Sequence, residues 1–554
     1  STTRSIFTTT YNRLVLPRQS FRRSSSCRSA LSPVSSATYD FDTNVIVNEK
    51  NNYASRVTVD VLHSGKRISI SSPQGEQQNA VQFDAPWLWI NCPTSIQSTG
   101  QRLRSPGQYS GQTVRTCEVV QNNKHYDYST SDDPSPSNIN NNRNDEFCYQ
   151  QKVSNIPRDS CQPVSGIYGG EHRTTTDENT ILRVTWSDES SSVSYFNVDW
   201  LRKFAYDDTS LTLARVRREV TPHHAIRSDS ELKRVSFDHI LAGDEATIFA
   251  LLEAIFTDGA AFVKGAPIDE ENQDCGVRTL ADAISSGSLS HGSLYGDTFE
   301  VKNKANANNI AYTDVALRSH QDMAYYESMP GIQMLHCIEF GSDVVGGEST
   351  LIDCMAAAHA LREIAPHHFK TLVTTSATFI KQRDNVSMTY QRPHIVLKAG
   401  EDMNDMNREI IGVNWSPPFE GPLSIPAHMV EDYFAAYSAF ERMIDVSISL
   451  DFDNSFLSKN EARLYHEYAR NNTYQNRLVP GDILVFSNRR MLHGRTGFKV
   501  QNVLNSAKQG NRVFKGGYTD IDDTLNRYKA LRRKFEPNGE GLTMNVGNGT
   551  NSFP

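Results

Sequence analysis

The chain has 554 residues, 38% of them hydrophobic and 22% charged, so it can bury a sizeable core spread over two to four domains of about 150 residues each. Its 56 Lys and Arg against 64 Asp and Glu leave a net charge of −8, which provides no cationic field for a dedicated nucleic-acid binder. Eight cysteines with no Cys-x-x-Cys pair exclude a disulfide scaffold and a standard zinc ribbon, and the longest apolar run, Ala246 to Phe256, is too short for a membrane span and carries Glu253.

Residues 1–38 hold six arginines, ten serines and no acidic residue, the composition of an organelle transit peptide. Residues 1–40 are therefore expected to address the chain to the mitochondrion, with plastid and cytoplasm as alternatives. A small β-rich domain is predicted over 41–225. In it Val57–Leu62 and Arg67–Ser71 alternate as a hairpin does, and Ile181–Trp186 and Val193–Phe196 do the same around Ser187–Ser192. A polar insertion near 120–180, rich in Ser, Asp and Asn around Pro134 and Pro136, interrupts it.

The larger block, 226–540, begins with helical spacing over Glu245–Phe256, stopped by Asp258-Gly259 and followed by a strand at Ala261–Lys264. Further strands are predicted at Ile332–Ile338, Glu348–Ile352, Ile395–Leu397, Ile410–Trp415, Asp482–Ser487 and Arg512–Thr519. Helices are predicted at Ala356–Ile364, Ala427–Ile444 and Lys459–Asn471. Strands dominate and helices come singly, which predicts a mainly β protein with flanking helices: a mostly antiparallel barrel or jelly roll. The Gly- and Asn-rich tail, 541–554, is expected to lack order. Dinucleotide, phosphate-loop and nucleophile-elbow motifs are absent.

The candidate chemistry begins at His320-Gln321-Asp322. On an extended strand, side chains two apart share a face, so the imidazole and carboxylate can close on one metal ion. His493 follows a buried strand that opens at the turn Pro480-Gly481 and precedes a glycine. By itself His493 reads equally well as a structural histidine; joined to His320 and Asp322 it completes a facial triad with open coordination positions. His125-Tyr126-Asp127 has the same spacing but borders the polar insertion and is read as chance. A 2-oxo acid chelating such a metal would need a cation for its far carboxylate. Arg512, heading an apolar strand, is the natural candidate, although Arg489, Arg490 and Arg495 compete and spacing does not choose among them.

These strings resemble a known family. Asn308-Asn-Ile-Ala-Tyr-Thr, His320-Gln-Asp-Met-Ala-Tyr-Tyr, Pro330-Gly-Ile-Gln-Met-Leu-His-Cys-Ile, Gly346-Gly-Glu-Ser and Phe486-Ser-Asn-Arg-Arg-Met-Leu-His-Gly-Arg are similar to the gamma-butyrobetaine hydroxylase and trimethyllysine hydroxylase family. Its members are Fe(II)- and 2-oxoglutarate-dependent dioxygenases of the taurine dioxygenase-like superfamily, built on a double-stranded β-helix. The resemblance covers roughly residues 245–535 and extends more weakly over the N-terminal module, through Pro86-Trp-Leu-Trp-Ile-Asn-Cys, Val184-Thr-Trp-Ser-Asp and Trp200-Leu201.

The resemblance implies iron ligands His320, Asp322 and His493, a 2-oxoglutarate clamp at Arg512 and a co-substrate pocket wall at Leu335. It further implies a trimethylammonium cage of Tyr295, Phe299, Tyr312 and Tyr518, with Asn309 at the substrate carboxylate. Ring faces suit a quaternary ammonium, which has no N–H to donate, at about 0.5–2 kcal/mol each. The implied reaction decarboxylates 2-oxoglutarate to succinate and CO2 and inserts a hydroxyl from dioxygen, with ascorbate as reductant. The favoured substrate is gamma-butyrobetaine, giving L-carnitine; trimethyllysine hydroxylation and a catalytically silent betaine-binding protein are the alternatives. A homodimer is expected.

This sequence also departs from the family. Gln321 stands where the family has Thr, Phe299 where it has Trp, and the string between His493 and Arg512 is longer. The family's N-terminal structural zinc is expected to be absent, because of its ligand positions only Cys92 remains, with Thr94, Gln97 and Ser190 at the others. Cys117, Cys148, Cys161 and His172 would be an irregular replacement set.

Overall fold

The computed structural model describes residues 57–71, 80–95, 101–121, 180–207, 225–269, 275–287, 289–290, 294–302, 313–383, 385–399, 402–448, 456–501, 511–536, 544–545 and 551–552. The expected transit segment, most of the polar insertion and residues Asn309 and Tyr312 lie outside these described residues, as do Gln97, Cys148, Cys161 and His172.

The N-terminal module contains two three-stranded antiparallel sheets. One joins β1 (Thr58–Leu62), β2 (Arg67–Ser71) and β3 (Val81–Asp84), followed by helix α1 (Ala85–Ile90). The other joins β4 (Val114–Gln121), β5 (Thr180–Trp186) and β6 (Val193–Asn197), followed by α2 (Val198–Lys203). Both predicted hairpins are present. Strict alternation along β5 buries Thr180, Leu182, Val184 and Trp186, and these pack with Ile68, Phe83, Leu88 and Phe196 in a core of their own. Cys92, fully buried there, donates its thiol to Ser194 Oγ at 2.9 Å, and Trp186 Nε1 donates to the same oxygen at 2.8 Å.

The larger block opens with β7 (Lys233–Ser236), α3 (Phe237–Leu241), α4 (Glu245–Thr257), β8 (Ala260–Lys264), α5 (Cys275–Ile284), β9 (Thr298–Val301) and β10 (Leu317–His320). Next come β11 (Ile332–Phe340), β12 (Val344–Gly346), β13 (Ser349–Asp353), α6 (Cys354–Ile364), α7 (Pro366–Thr374), β14 (Ser376–Arg383), β15 (Val386–Pro393), β16 (Ile395–Leu397) and β17 (Ile410–Val413). It closes with α8 (Val430–Ile444), α9 (Lys459–Asn472), β18 (Tyr474–Asn476), β19 (Ile483–Ser487), β20 (Met491–Arg495), β21 (Phe498–Val500), β22 (Arg512–Thr519) and α10 (Ile521–Phe535).

Two sheets carry this block. A six-stranded sheet has the order β7-β8-β19-β11-β22-β9 and a four-stranded sheet the order β10-β20-β13-β18. All their pairings are antiparallel except β7 with β8. From β9 onward the chain passes repeatedly between the two sheets. Alternation along the strands sorts the side chains. Ala261, Val263, Ile332, Met334, Ile483 and Val485 face helices α3, α4, α5 and α10. Phe262, Cys337, Leu484, Phe486 and Phe514 face inward, against Leu351, Tyr474 and Met491 of the four-stranded sheet. Helices α6 to α9 cover the outer side of that second sheet through Ile352 and Leu492. Each such aliphatic burial contributes roughly 1.5–3 kcal/mol.

The predicted strands and helices of this block are found, with ends shifted by a few residues. Helices α3, α5, α7 and α10 and the hairpin β14–β15 are among the additions. Val277, Leu280, Ala281 and Ile284 of α5 have clean helical spacing, but in a short, polar-flanked segment. In the tail expected to lack order, Met544–Asn545 pairs with Asn551–Ser552.

Candidate metal centre

β10 and β20 are neighbours, and their register places His320 directly opposite His493. The two imidazoles meet as a cross-strand pair with ring centroids 4.2 Å apart. His493 follows the buried strand β19, as the sequence indicates, and itself lies in β20. The sequence argument for Asp322 needs correction: β10 ends at His320, so Asp322 is brought round by a turn and not by strand alternation. At that turn Met323 has a φ of 60°, a left-handed conformation seldom adopted by a side chain of its size.

Two buried amides hold the turn. Gln321 donates through Nε2 to the carbonyls of Val413 and Arg489 at 3.0 and 3.1 Å, and its Oε1 accepts from the Trp415 N–H at 2.8 Å. Asn488 accepts the Asp322 N–H at 2.9 Å and donates to the Asp322 carbonyl at 3.1 Å. Gln321, which stands where the family has Thr, is therefore bound to backbone on three sides, unavailable to a metal and a fastener of the turn. Asn488 was not anticipated, although it lies inside the string that carries His493.

The donor atoms of His320, Asp322 and His493 all fall within 4.8 Å of one another, and among the described residues no other such cluster of His, Cys, Asp or Glu occurs. Asp322 Oδ1 is 3.5 Å from His320 Nε2, and Asp322 Oδ2 is 3.7 Å from His493 Nε2. His320 Nδ1–H donates to the Arg318 carbonyl at 2.8 Å, which turns Nε2 toward the cluster. Burial opposes the charge of Asp322, but its interactions with His320 and His493 and the Tyr518 hydroxyl outweigh it and hold the carboxyl below its ordinary value. Asp322 in turn raises His320 against its burial, while burial and then His320 push His493 down to about 3. A divalent cation requires the carboxylate ionised and both imidazoles neutral, so it would displace the proton that Asp322 favours on His320. The donor set fits one small metal ion with positions left over.

The aromatic residues gather beside it. Tyr518 Oη donates to Asp322 Oδ2 at 2.7 Å. Phe299 stacks on Tyr518 with centroids 5.1 Å apart, and Tyr295 lies 6.4 Å from Phe299. Tyr325, absent from the predicted cage, brings its hydroxyl to 3.4 Å from that of Tyr295 and stands edge-on to Phe419. Its signal was present in the text, three residues beyond Asp322.

Arg512 is buried, stacks over Phe514 at 4.1 Å and gives Nε–H to the Gly347 carbonyl at 3.0 Å. No carboxylate among the described residues pairs with it. Burial, then the nearby Arg495, pushes its guanidinium down to about 9. Its rivals are engaged elsewhere: Arg490 pairs with Asp353 at 2.9 Å, Arg489 binds Met329 and Ser328, and Arg495 binds the carbonyls of Thr313 and Val315. A buried guanidinium without an anion is costly to keep, and a ligand carboxylate would relieve it. Leu335, opposite Gly516 on β22 and Leu484 on β19, is a half-buried part of the same inner face.

Residues 218–518 match the taurine catabolism dioxygenase TauD, TfdA family. The chain belongs to that family. Among its relatives, the gamma-butyrobetaine dioxygenase of Pseudomonas sp. (strain AK-1) is 30% identical over 360 residues, covering 65% of this chain and 80% of that protein. Human gamma-butyrobetaine dioxygenase is 26% identical, with 64% of this chain and 80% of that protein covered. Mouse trimethyllysine dioxygenase, mitochondrial, is 25% identical, with 69% and 79% covered. The resemblance read from the residues is borne out, and the protein is a dioxygenase with a mainly β catalytic block. Among the described residues of this dioxygenase no helix is long and apolar enough to cross a membrane.

Proposed function

We propose that this dioxygenase binds Fe(II) at His320, Asp322 and His493, uses 2-oxoglutarate as co-substrate and hydroxylates a small trimethylammonium compound. The observation carrying the reading is the convergence of the three donors at one buried point. Bound together, Fe(II) and 2-oxoglutarate supply dioxygen activation and hydroxyl insertion at an unactivated C–H bond. The chain's part is to orient and to exclude water. Arg512 takes the far carboxylate of the co-substrate, with Leu335 along the pocket wall. Tyr295, Phe299, Tyr312 and Tyr518 present ring faces to the quaternary ammonium, and Asn309 binds the substrate's opposite end. Tyr518 does a second task, since its hydroxyl also steadies Asp322. We read the passage of the chain between its two sheets as a double-stranded β-helix over 226–540, with 41–225 as a separate small domain.

The favoured substrate is gamma-butyrobetaine, giving L-carnitine, supported by the 30% identity to the Pseudomonas gamma-butyrobetaine dioxygenase. Trimethyllysine is the second reading, favoured by the Arg- and Ser-rich leader and by the mitochondrial designation of the mouse relative. The same two observations support a mitochondrial location. Ascorbate as reductant, a homodimer and an N-terminal module without structural zinc complete the proposal; the Cys92–Ser194–Trp186 hydrogen bonds occupy the one remaining cysteine of the family's zinc set. The deciding experiment incubates the full chain with Fe(II), ascorbate, 2-oxoglutarate and either amine, and follows the product mass. A gain of one oxygen on gamma-butyrobetaine, with matching succinate, is expected. Oxygen gained on trimethyllysine alone would move the substrate assignment. Bound iron without turnover of any quaternary amine would leave a silent betaine-binding protein.

A further inference from the structure

Gln333 is a polar residue on an otherwise apolar inner face. Alternation along β11 puts its side chain on the side of Leu335 and Cys337, toward the second sheet. It is 2% exposed, yet its Oε1 is fully enclosed and has no hydrogen-bond partner among the described residues. Its register neighbours are Phe486 on β19 and Tyr518 on β22. The Phe486 ring lies 5.0 Å from the His493 ring, and Tyr518 donates to Asp322. Gln333 is thus bracketed by residues that touch two of the three metal-facing side chains. Leaving a buried amide unpaired costs about 1–3 kcal/mol, a cost that Leu or Met at the same volume would avoid. A partner arriving with a ligand accounts for the residue.

The ladder indicates which ligand. Along β11 and β22, Arg512 stands opposite Phe340 at one end, Leu335 opposite Gly516 in the middle, and Gln333 opposite Tyr518 at the metal end. A 2-oxo acid held by Arg512 through its far carboxylate and lying along this ladder would have its keto-acid end on the Gln333 side. We infer that the Gln333 amide donates a hydrogen bond to the metal-proximal carboxylate of the 2-oxo acid co-substrate, a role that rests on the function proposed above. A primary amide offers two N–H donors, and bonds to a charged acceptor are about twice as strong as neutral ones. Rotation about the last side-chain bond exchanges its oxygen and nitrogen, so either can face the ligand.

The test uses the full chain loaded with Mn(II), with dioxygen excluded, and titrates 2-oxoglutarate calorimetrically into wild type, Gln333→Leu and Gln333→Glu. The Leu variant is expected to bind 2-oxoglutarate on the order of tenfold more weakly, as for loss of one charge-assisted bond. The Glu variant keeps the shape of the side chain and places an anion against an anion, so its loss is larger. Mn(II) affinity, and gamma-butyrobetaine affinity at saturating 2-oxoglutarate, stay at the wild-type level in both. Unchanged 2-oxoglutarate affinity in both variants overturns the inference alone, as does a loss confined to gamma-butyrobetaine, which would put the amide on the substrate. A wild-type protein that takes up no 2-oxoglutarate overturns the proposed function and this inference with it.

Discussion

Tyr518 shows how much one side chain can carry. Its ring stacks on Phe299, while its hydroxyl bonds the carboxylate that faces both imidazoles. Tyr518→Phe separates the two tasks. Loss of an outer hydrogen bond to a metal-ligating carboxylate weakens metal affinity about 10- to 100-fold, so Fe(II) binding is expected to fall by at least the lower figure. The ring remains, so the KM for the trimethylammonium substrate is expected to hold. Titrating Fe(II) anaerobically and measuring KM on metal-saturated protein checks both; undiminished Fe(II) affinity would rule out the hydroxyl's role. At this scale the candidate metal donors were legible, because a His-x-Asp tripeptide and a His just past an apolar strand are local patterns. The anchors were not. Gln321 and Asn488 look like any polar residues until Val413, Trp415 and Asp322 are seen around them.

At the scale of elements, β22 carries the residues proposed for both the co-substrate and the substrate. Arg512, Phe514, Gly516 and Tyr518 alternate onto one face, and a glycine at 516 lets the end of the Phe299 ring approach the strand. A Cβ there would stand 2.3 Å from the Phe299 ring. Gly516→Ala is therefore expected to push Phe299 off Tyr518, raise the KM for the trimethylammonium substrate several-fold and cost about 1–3 kcal/mol in urea unfolding. A variant matching wild type in both measurements would show that the ring has room elsewhere. β22 was legible as a strand, being an apolar alternating run. Helix α10 was missed because its apolar positions Ile521, Leu525, Tyr528 and Leu531 are separated by a highly charged surface.

At the scale of the whole molecule, buried titratable groups set the acid side of stability. His394 is completely enclosed, donating through Nδ1 to the Asn414 carbonyl and taking the Tyr433 hydroxyl at Nε2, both at 2.8 Å. Burial pushes its pKa down to about 4 from the ordinary 6.5. Between those values the unfolded chain holds a proton that the folded chain refuses, so stability rises with pH there and is fully present above about 6.5. The loss on acidification is on the order of 3 kcal/mol. Urea unfolding at stepped pH is expected to show a shallower slope for His394→Gln than for wild type, by up to one proton. Identical slopes would mean that the site opens and hydrates before the imidazole titrates.

The amino-acid sequence alone determined which side chains can bind a metal, where the main strands of the catalytic block run and which family the chain joins. Apolar alternation, turn residues and short ligand strings are all written within a few neighbouring positions. Only the tertiary structure decided that β10 and β20 lie side by side in the register that sets His320 against His493, that a turn rather than a strand delivers Asp322, and that Arg512 is buried with no carboxylate of the described residues paired to it. Strand partners and register are chosen by hydrogen-bond ladders and core contacts between segments far apart in the chain, and no local pattern records that choice.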